Sequence, residues 1–132
     1  MKPPCELAVK ELLPSLRAAI VRELSETYHM KQTDIAEAVG ITQASVSQYL
    51  HVERAKEDRV TAIEGFDEAA KRIAEKIAVN HMSKAAVLHS VCALCTKMRE
   101  SEAFCQIHQD MVTIEGCDIC KPAEFKKRMN LS

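Results

Sequence analysis

A chain of 132 residues with a formal net charge of −1 has room for one compact domain, or two small ones sharing a core, and is too short for a large enzyme scaffold. It has three glycines, four prolines and no tryptophan, and aromatics make up 4% of it, so long helices are favoured over strands and an all-α fold is expected. No apolar run approaches the roughly 18 residues of a membrane-spanning helix, and the opening MKPPCELAVKELLP has neither the basic nor the apolar region of a secretory signal, so a cytoplasmic protein is expected.

From residue 5 to 28 apolar positions recur at helical spacing. Leu7, Leu12, Leu16, Ile20 and Leu24 form approximately one face, with Glu and Arg elsewhere. Pro14 is expected to kink or restart this helix, because its ring removes a backbone donor and crowds the preceding turn. Two short helical patterns follow from Gln32 to Leu50, split by Gly40. The charged stretch HVERAKEDR then reads as a solvated loop or helix end, which gives a first unit over residues 1–60.

The second unit, 61–132, opens near Gly65. Phe66, Ala70, Ile73, Ala74 and Ile77 form an apolar stripe, and Asp67, Glu68, Lys71, Arg72, Glu75 and Lys76 occupy the wet face. A break is expected from Asn80 to Ser83. Ser83 is placed to cap a helix through Val87, Leu88, Val91 and Leu94 to about Arg99, and Ser101 to cap another through Phe104 and His108. From Gly116 onward come a turn bearing two cysteines and a short basic tail.

The window QTDIAEAVGITQASVSQYLH, residues 32–51, fits a helix-turn-helix. Ile35, Ala36 and Val39 give the first helix an apolar face, and Ala36 is small enough for close approach of the second. Gly40 stands where the chain must turn sharply and positive φ is favoured. Ile41 plugs the space between the helices, Thr42 is a cap for the second, and Val46 and Leu50 continue its buried side, with Tyr49 at its edge. Gln43, Ala44, Ser45, Ser47, Gln48 and His51 are left over. These are short or amide-bearing groups with no carboxylate among them, suited to read base edges in a major groove. Gln43, Ser47 and Gln48 are the leading base-contact candidates, with Thr42 also counted in the DNA-binding set; Gln32 and Thr33, and Arg54 and Lys56 beyond the second helix, are candidates for phosphates. A plain helical hairpin explains the apolar period but not an acid-free polar face in a Glu-rich chain.

On these residues the segment resembles the helix-turn-helix of XRE-family, lambda-repressor-like transcriptional regulators over about residues 15–60. The whole chain, with MKPPCE at its start and paired cysteines at its end, resembles a group of small, mostly archaeal predicted transcriptional regulators. The resemblance implies a lambda-repressor-like DNA-binding domain followed by a helical, cysteine-rich region, with dimerisation and repressor-type action. The chain departs from that pattern in charge: residues 1–59 carry eight Lys/Arg against nine Asp/Glu. Phosphate contacts supply most non-specific affinity, so one copy should bind weakly and a homodimer is expected on double-stranded operator DNA. Helices over 66–99 are the candidate dimer interface, setting two recognition helices about 34–36 Å apart.

In a reducing compartment six cysteines are expected as metal ligands or redox thiols rather than a disulfide framework. Cys92/Cys95, Cys105/His108 and Cys117/Cys120 are three pairs at identical spacing, and on a helix such spacing puts both groups on one face. Thiolates of Cys92, Cys95, Cys117 and Cys120 would suit a tetrahedral zinc or an iron–sulfur cluster, and Cys105 or His108 is a substitute ligand or a neighbour; spacing alone leaves zinc and iron–sulfur open. The alternative is buried cysteines packing as small hydrophobes. Cys5 has no partner in sequence. His29, His51, His81 and His89 are expected as surface or core residues.

The leading expectation is a sequence-specific DNA-binding regulator whose cysteine region senses redox state or metal. One alternative is an interaction protein that uses the helix-turn-helix without reading DNA, favoured by the near-neutral charge. A thiol–disulfide oxidoreductase is the other. It fits poorly, because its reactive pair normally opens a helix after a strand, whereas Cys92 comes late in a helical pattern. No Gly-rich phosphate loop or nucleophile elbow points to another enzyme class.

Overall fold

The computed structural model describes residues 3–51, 59–112 and 115, and all regular structure among them is helical. The chain opens with a helical rod in three sections: α1 (Pro4–Leu7), a π-helical turn (Ala8–Leu12) and α2 (Leu13–Glu26). Pro14 stands in the first turn of α2. There its missing N–H is harmless, and the wider i→i+5 bonding just upstream absorbs the clash its ring would make in an unbroken α-helix. The expected restart at Pro14 is thus a change of helical winding within a continuous rod.

The π turn also explains the spacing of the leucines. Leu7 and Leu12 are five apart, which in an α-helix leaves them roughly 140° out of line, whereas Leu12, Leu16, Ile20 and Leu24 follow at steps of four. The wider turn brings Leu7 back onto the same side, and all five are buried.

That continuous face serves two hydrophobic clusters. The first joins Ile20, Val21 and Leu24 of the rod to Ile35, Ala36, Val46, Ala70, Ile73, Ala74, Ile77 and Val87. The second joins Leu7, Ala8, Leu12 and Leu16 to Val60, Ile63, Phe66, Met98, Phe104 and Ile107. Both clusters take residues from either side of position 60. The elements they draw on are α3 (Gln32–Val39), α4 (Gln43–His51), α5 (Phe66–Asn80), α6 (Lys84–Arg99) and α7 (Glu102–Val112). Helix α5 packs along α2, burying the predicted stripe of Phe66, Ala70, Ile73, Ala74 and Ile77.

Local capping fixes where the later helices begin. The Ser83 hydroxyl accepts from the Ala86 N–H at 3.1 Å. Ser101 accepts from the Phe104 N–H at 3.2 Å and donates to the Met98 carbonyl at 2.7 Å, joining the end of α6 to the start of α7. Both caps were expected. On α6, Leu88 is 65% exposed. Val87 turns into the first cluster and Met98 into the second, and Leu88, one residue round from Val87, falls on the solvent side. Farther on, Arg59 is paired with Asp110 of α7.

Leu16 lies fully buried beside the junction of the two clusters. Leu16→Ala is expected to lower unfolding free energy by about 2–5 kcal/mol in urea titration, with helical content retained at low denaturant. Asp110 gives a pH dependence. The hydrogen bond from Arg59, aided by Gln106, holds its carboxyl below the usual carboxylate range. Its contribution is present at neutral pH and is lost as pH falls through that range; Asp110→Asn should therefore make thermal stability less sensitive to acid, by a small amount because the pair is exposed.

Candidate nucleic-acid interface and the cysteine-bearing helices

Helix α3 ends at Gly40, whose φ of 80° and ψ of 35° are left-handed. The N–H groups of Gly40 and Ile41 both donate to the Ala36 carbonyl, at 2.9 and 3.1 Å, closing the helix end. Nothing crowds the place where a Cβ on Gly40 would stand; the nearest atom is Lys84 Cδ at 4.0 Å. Backbone conformation, not space, is what requires glycine there. Thr42 then caps α4: its hydroxyl accepts from the Ser45 N–H at 3.1 Å and donates to the Ser45 hydroxyl at 2.9 Å.

Ile35 and Val46 are wholly buried between α3, α4 and α2, and Ala36 is nearly so. Val39, Ile41, Tyr49 and Leu50 are packed at the margin of the same cluster. With these positions turned inward, the outer side of α4 is set. Gln43, Ala44 and Gln48 are exposed, as is His51. Ala44, Gln48 and His51 follow at steps of four and three, so they share one face.

The structure separates the free polar groups from the engaged ones. Ser45 is committed to Thr42. Ser47 is half-buried, and its hydroxyl lies 3.3 Å from Nδ1 of His51, which is 2.7 Å from the Ser47 carbonyl. A carbonyl can only accept, so Nδ1 carries the proton and Nε2 is left to face outward. Of the sequence candidates for base contact, Gln43 and Gln48 therefore stand open, whereas Ser47 is held against its own helix. Thr42 is likewise occupied as a cap.

On α3, Thr33 is exposed and Gln32 half-buried. The start of this helix has no side-chain cap, and the exposed Lys31 immediately precedes it. N–H groups without a side-chain cap, beside a cation, suit a phosphate, although the exposed carboxylate of Asp34 stands in the same first turn. Lys31 was not among the sequence candidates, although a cation next to Gln32 was the available signal. Glu37, the carboxylate nearest the turn, is paired with Lys84 at 3.1 Å. Arg54 and Lys56 lie outside the described residues.

The described cysteines lie on α1, α6 and α7. Cys92 is exposed on α6, and Cys95 and Cys105 are half-buried. His108 is buried at 3% exposure. Among the described residues no three His, Cys, Asp or Glu side chains are gathered as a metal-holding group. A centre on Cys92 and Cys95 thus depends on Cys117 and Cys120, which lie outside the described residues. The fold does bring Cys5 to this region, where Arg99 Nη1 donates to its Sγ at 3.7 Å. His29, His81 and His89 are exposed.

No protein-family model, curated protein or solved structure matches the chain.

Two substitutions test that geometry. Gly40→Ala forces an alanine into left-handed backbone and should cost about 1–2 kcal/mol, and Thr42→Ala should cost about 1 kcal/mol through loss of the cap. Both are measured by urea unfolding, and both should leave the peripheral Gln43 and Gln48 chemically unaltered.

Proposed function

We propose that the chain is a sequence-specific DNA-binding transcriptional regulator, with α4 as the recognition helix and α3 positioned across the phosphate backbone. The observation that carries this reading is the outer face of α4: Gln43, Ala44, Gln48 and His51 are exposed, no carboxylate stands among them, and a capped, left-handed turn fixes their helix against α3. Glutamine amides pair in a bidentate way with adenine, and the Ala44 methyl suits the thymine methyl. His51 offers Nε2 as an acceptor when neutral and as a donor when protonated. The uncapped start of α3, with Lys31 beside it, provides a place for a phosphate.

The charge of the chain sets the stoichiometry of this reading. With a net charge of −1, a single copy gains little from counterion release. Two copies on a palindromic site double the phosphate contacts and the base readout, so the binding species is a homodimer.

Selection from a random duplex pool, followed by gel shifts over a salt series, tests the proposal. Enrichment of a two-fold symmetric site and a steep fall of affinity with salt are expected. Gln43→Ala and Gln48→Ala should each reduce discrimination at one base pair by about 1–3 kcal/mol, and Lys31→Ala should weaken all sequences alike and reduce the salt slope by about 1. No enriched sequence, or binding indifferent to salt, would overturn the proposal and favour an interaction protein using the same fold.

A further inference from the structure

In the sequence Cys5 stands 87 positions from Cys92, the next cysteine. The fold closes that gap. Helix α1 carries Cys5 to the last turns of α6, where Arg99 Nη1 donates to its Sγ at 3.7 Å. On α6, Cys92, Cys95 and Arg99 follow at steps of three and four and share a face. Cys95 lies within electrostatic reach of Arg99, Cys92 and Cys5 together. Cys5 and Cys92 are open to solvent, whereas Cys95 is half-buried against the second hydrophobic cluster.

The cation at the centre of this group is incompletely satisfied. Among the described residues Arg99 Nε is buried with no hydrogen-bond acceptor, a costly state for a guanidinium that is always charged and carries five donors. A thiol is a poor partner for such a group, and a sulfur or oxygen anion is a good one.

We infer that Cys5, Cys95 and Arg99 form a peroxide-reactive thiol site, in which Cys5 is oxidised first and Cys95 then closes a disulfide joining α1 to α6. In the first step the Cys5 sulfur attacks one oxygen of hydrogen peroxide. An S–O bond forms, the O–O bond breaks, and the other oxygen leaves as water with the thiol proton. Cys5 is now a sulfenic acid. In the second step the Cys95 sulfur attacks that of Cys5. The S–S bond forms, the S–O bond breaks, and the hydroxyl leaves with the Cys95 proton as water. Two thiols lose two electrons, and the peroxide gains them.

The order of the steps follows from exposure. Cys5 faces solvent and is held by the guanidinium, so a small oxidant meets it first. Cys95 is half-buried against the second hydrophobic cluster, which suits the later-acting partner. This site is independent of any DNA contact.

The test uses the full-length chain, reduced and then exposed to stoichiometric hydrogen peroxide, quenched with a maleimide and mapped by non-reducing peptide mass spectrometry. A Cys5–Cys95 linked peptide, reversible by dithiothreitol, is expected. It should vanish in Cys5→Ser and Cys95→Ser and persist in Cys105→Ser. In Cys95→Ser, Cys5 should accumulate as a sulfenic acid trapped by dimedone. Arg99→Gln should slow consumption of the Cys5 thiol at least tenfold, with Arg99→Lys recovering part of the rate. A Cys5 that remains fully alkylatable while other cysteines oxidise overturns the site, as does a Cys92–Cys95 bond formed without it. An unchanged rate in folded Arg99→Gln overturns the part given to Arg99. Should that variant lose its helical signal, Arg99→Lys decides the same point, and the two serine variants, which alter an exposed and a half-buried thiol, decide the rest.

Discussion

The burial of one unbroken apolar face along the opening rod is the constraint on which the rest of the molecule depends. Leu7, Leu12 and Leu16 belong to one cluster and Ile20, Val21 and Leu24 to the other. Each fully buried aliphatic side chain contributes about 1.5–3 kcal/mol relative to exposure, so removing the rod would expose both clusters at once. Helix α6 makes a similar connection more sparingly, with Val87 at one end and Met98 at the other. Helices α3 and α4 and the thiol-bearing helices are thereby held in one packed body rather than side by side on a linker.

Within that body the polar chemistry is sorted by what the backbone leaves unsatisfied. Thr42, Ser45, Ser47, Ser83 and Ser101 spend hydroxyls on helix ends or on their own helix. What remains outward on α4 is two amides, a methyl and one imidazole nitrogen. A surface of this kind discriminates more than it attracts, because hydrogen bonds to base edges require contact while attraction at a distance requires net charge. The proposed dimer supplies by repetition what composition withholds.

Much of this was legible in the sequence because it obeys local rules. The stripe from Phe66 to Ile77, the left-handed turn at Gly40 and the serine caps at 83 and 101 each follow from neighbours within four residues. The exposure of Leu88 was not legible, because helical period alone does not say how wide a face the neighbouring helices cover. The meeting of Cys5 with Arg99 was not legible at all, since it spans 94 positions and depends on how the start of the rod is laid against α6 and α7. The engagement of Ser47 by His51 is intermediate: the step of four was visible, but the choice of carbonyl over solvent is a matter of rotamer.

The π turn between α1 and α2 amounts to one supernumerary residue. The stretch Leu7–Leu12 has a step of five where every later step along the buried face is four. Shortening the Ala8–Glu11 segment by a single residue would turn that five into a four, let an ordinary α-helical ladder run into α2, and keep each leucine on its present side. The rod can therefore be viewed as a regular helix carrying an insertion, and this is the place in the opening thirty residues where a change of length, as distinct from a change of side chain, has a route to being accommodated.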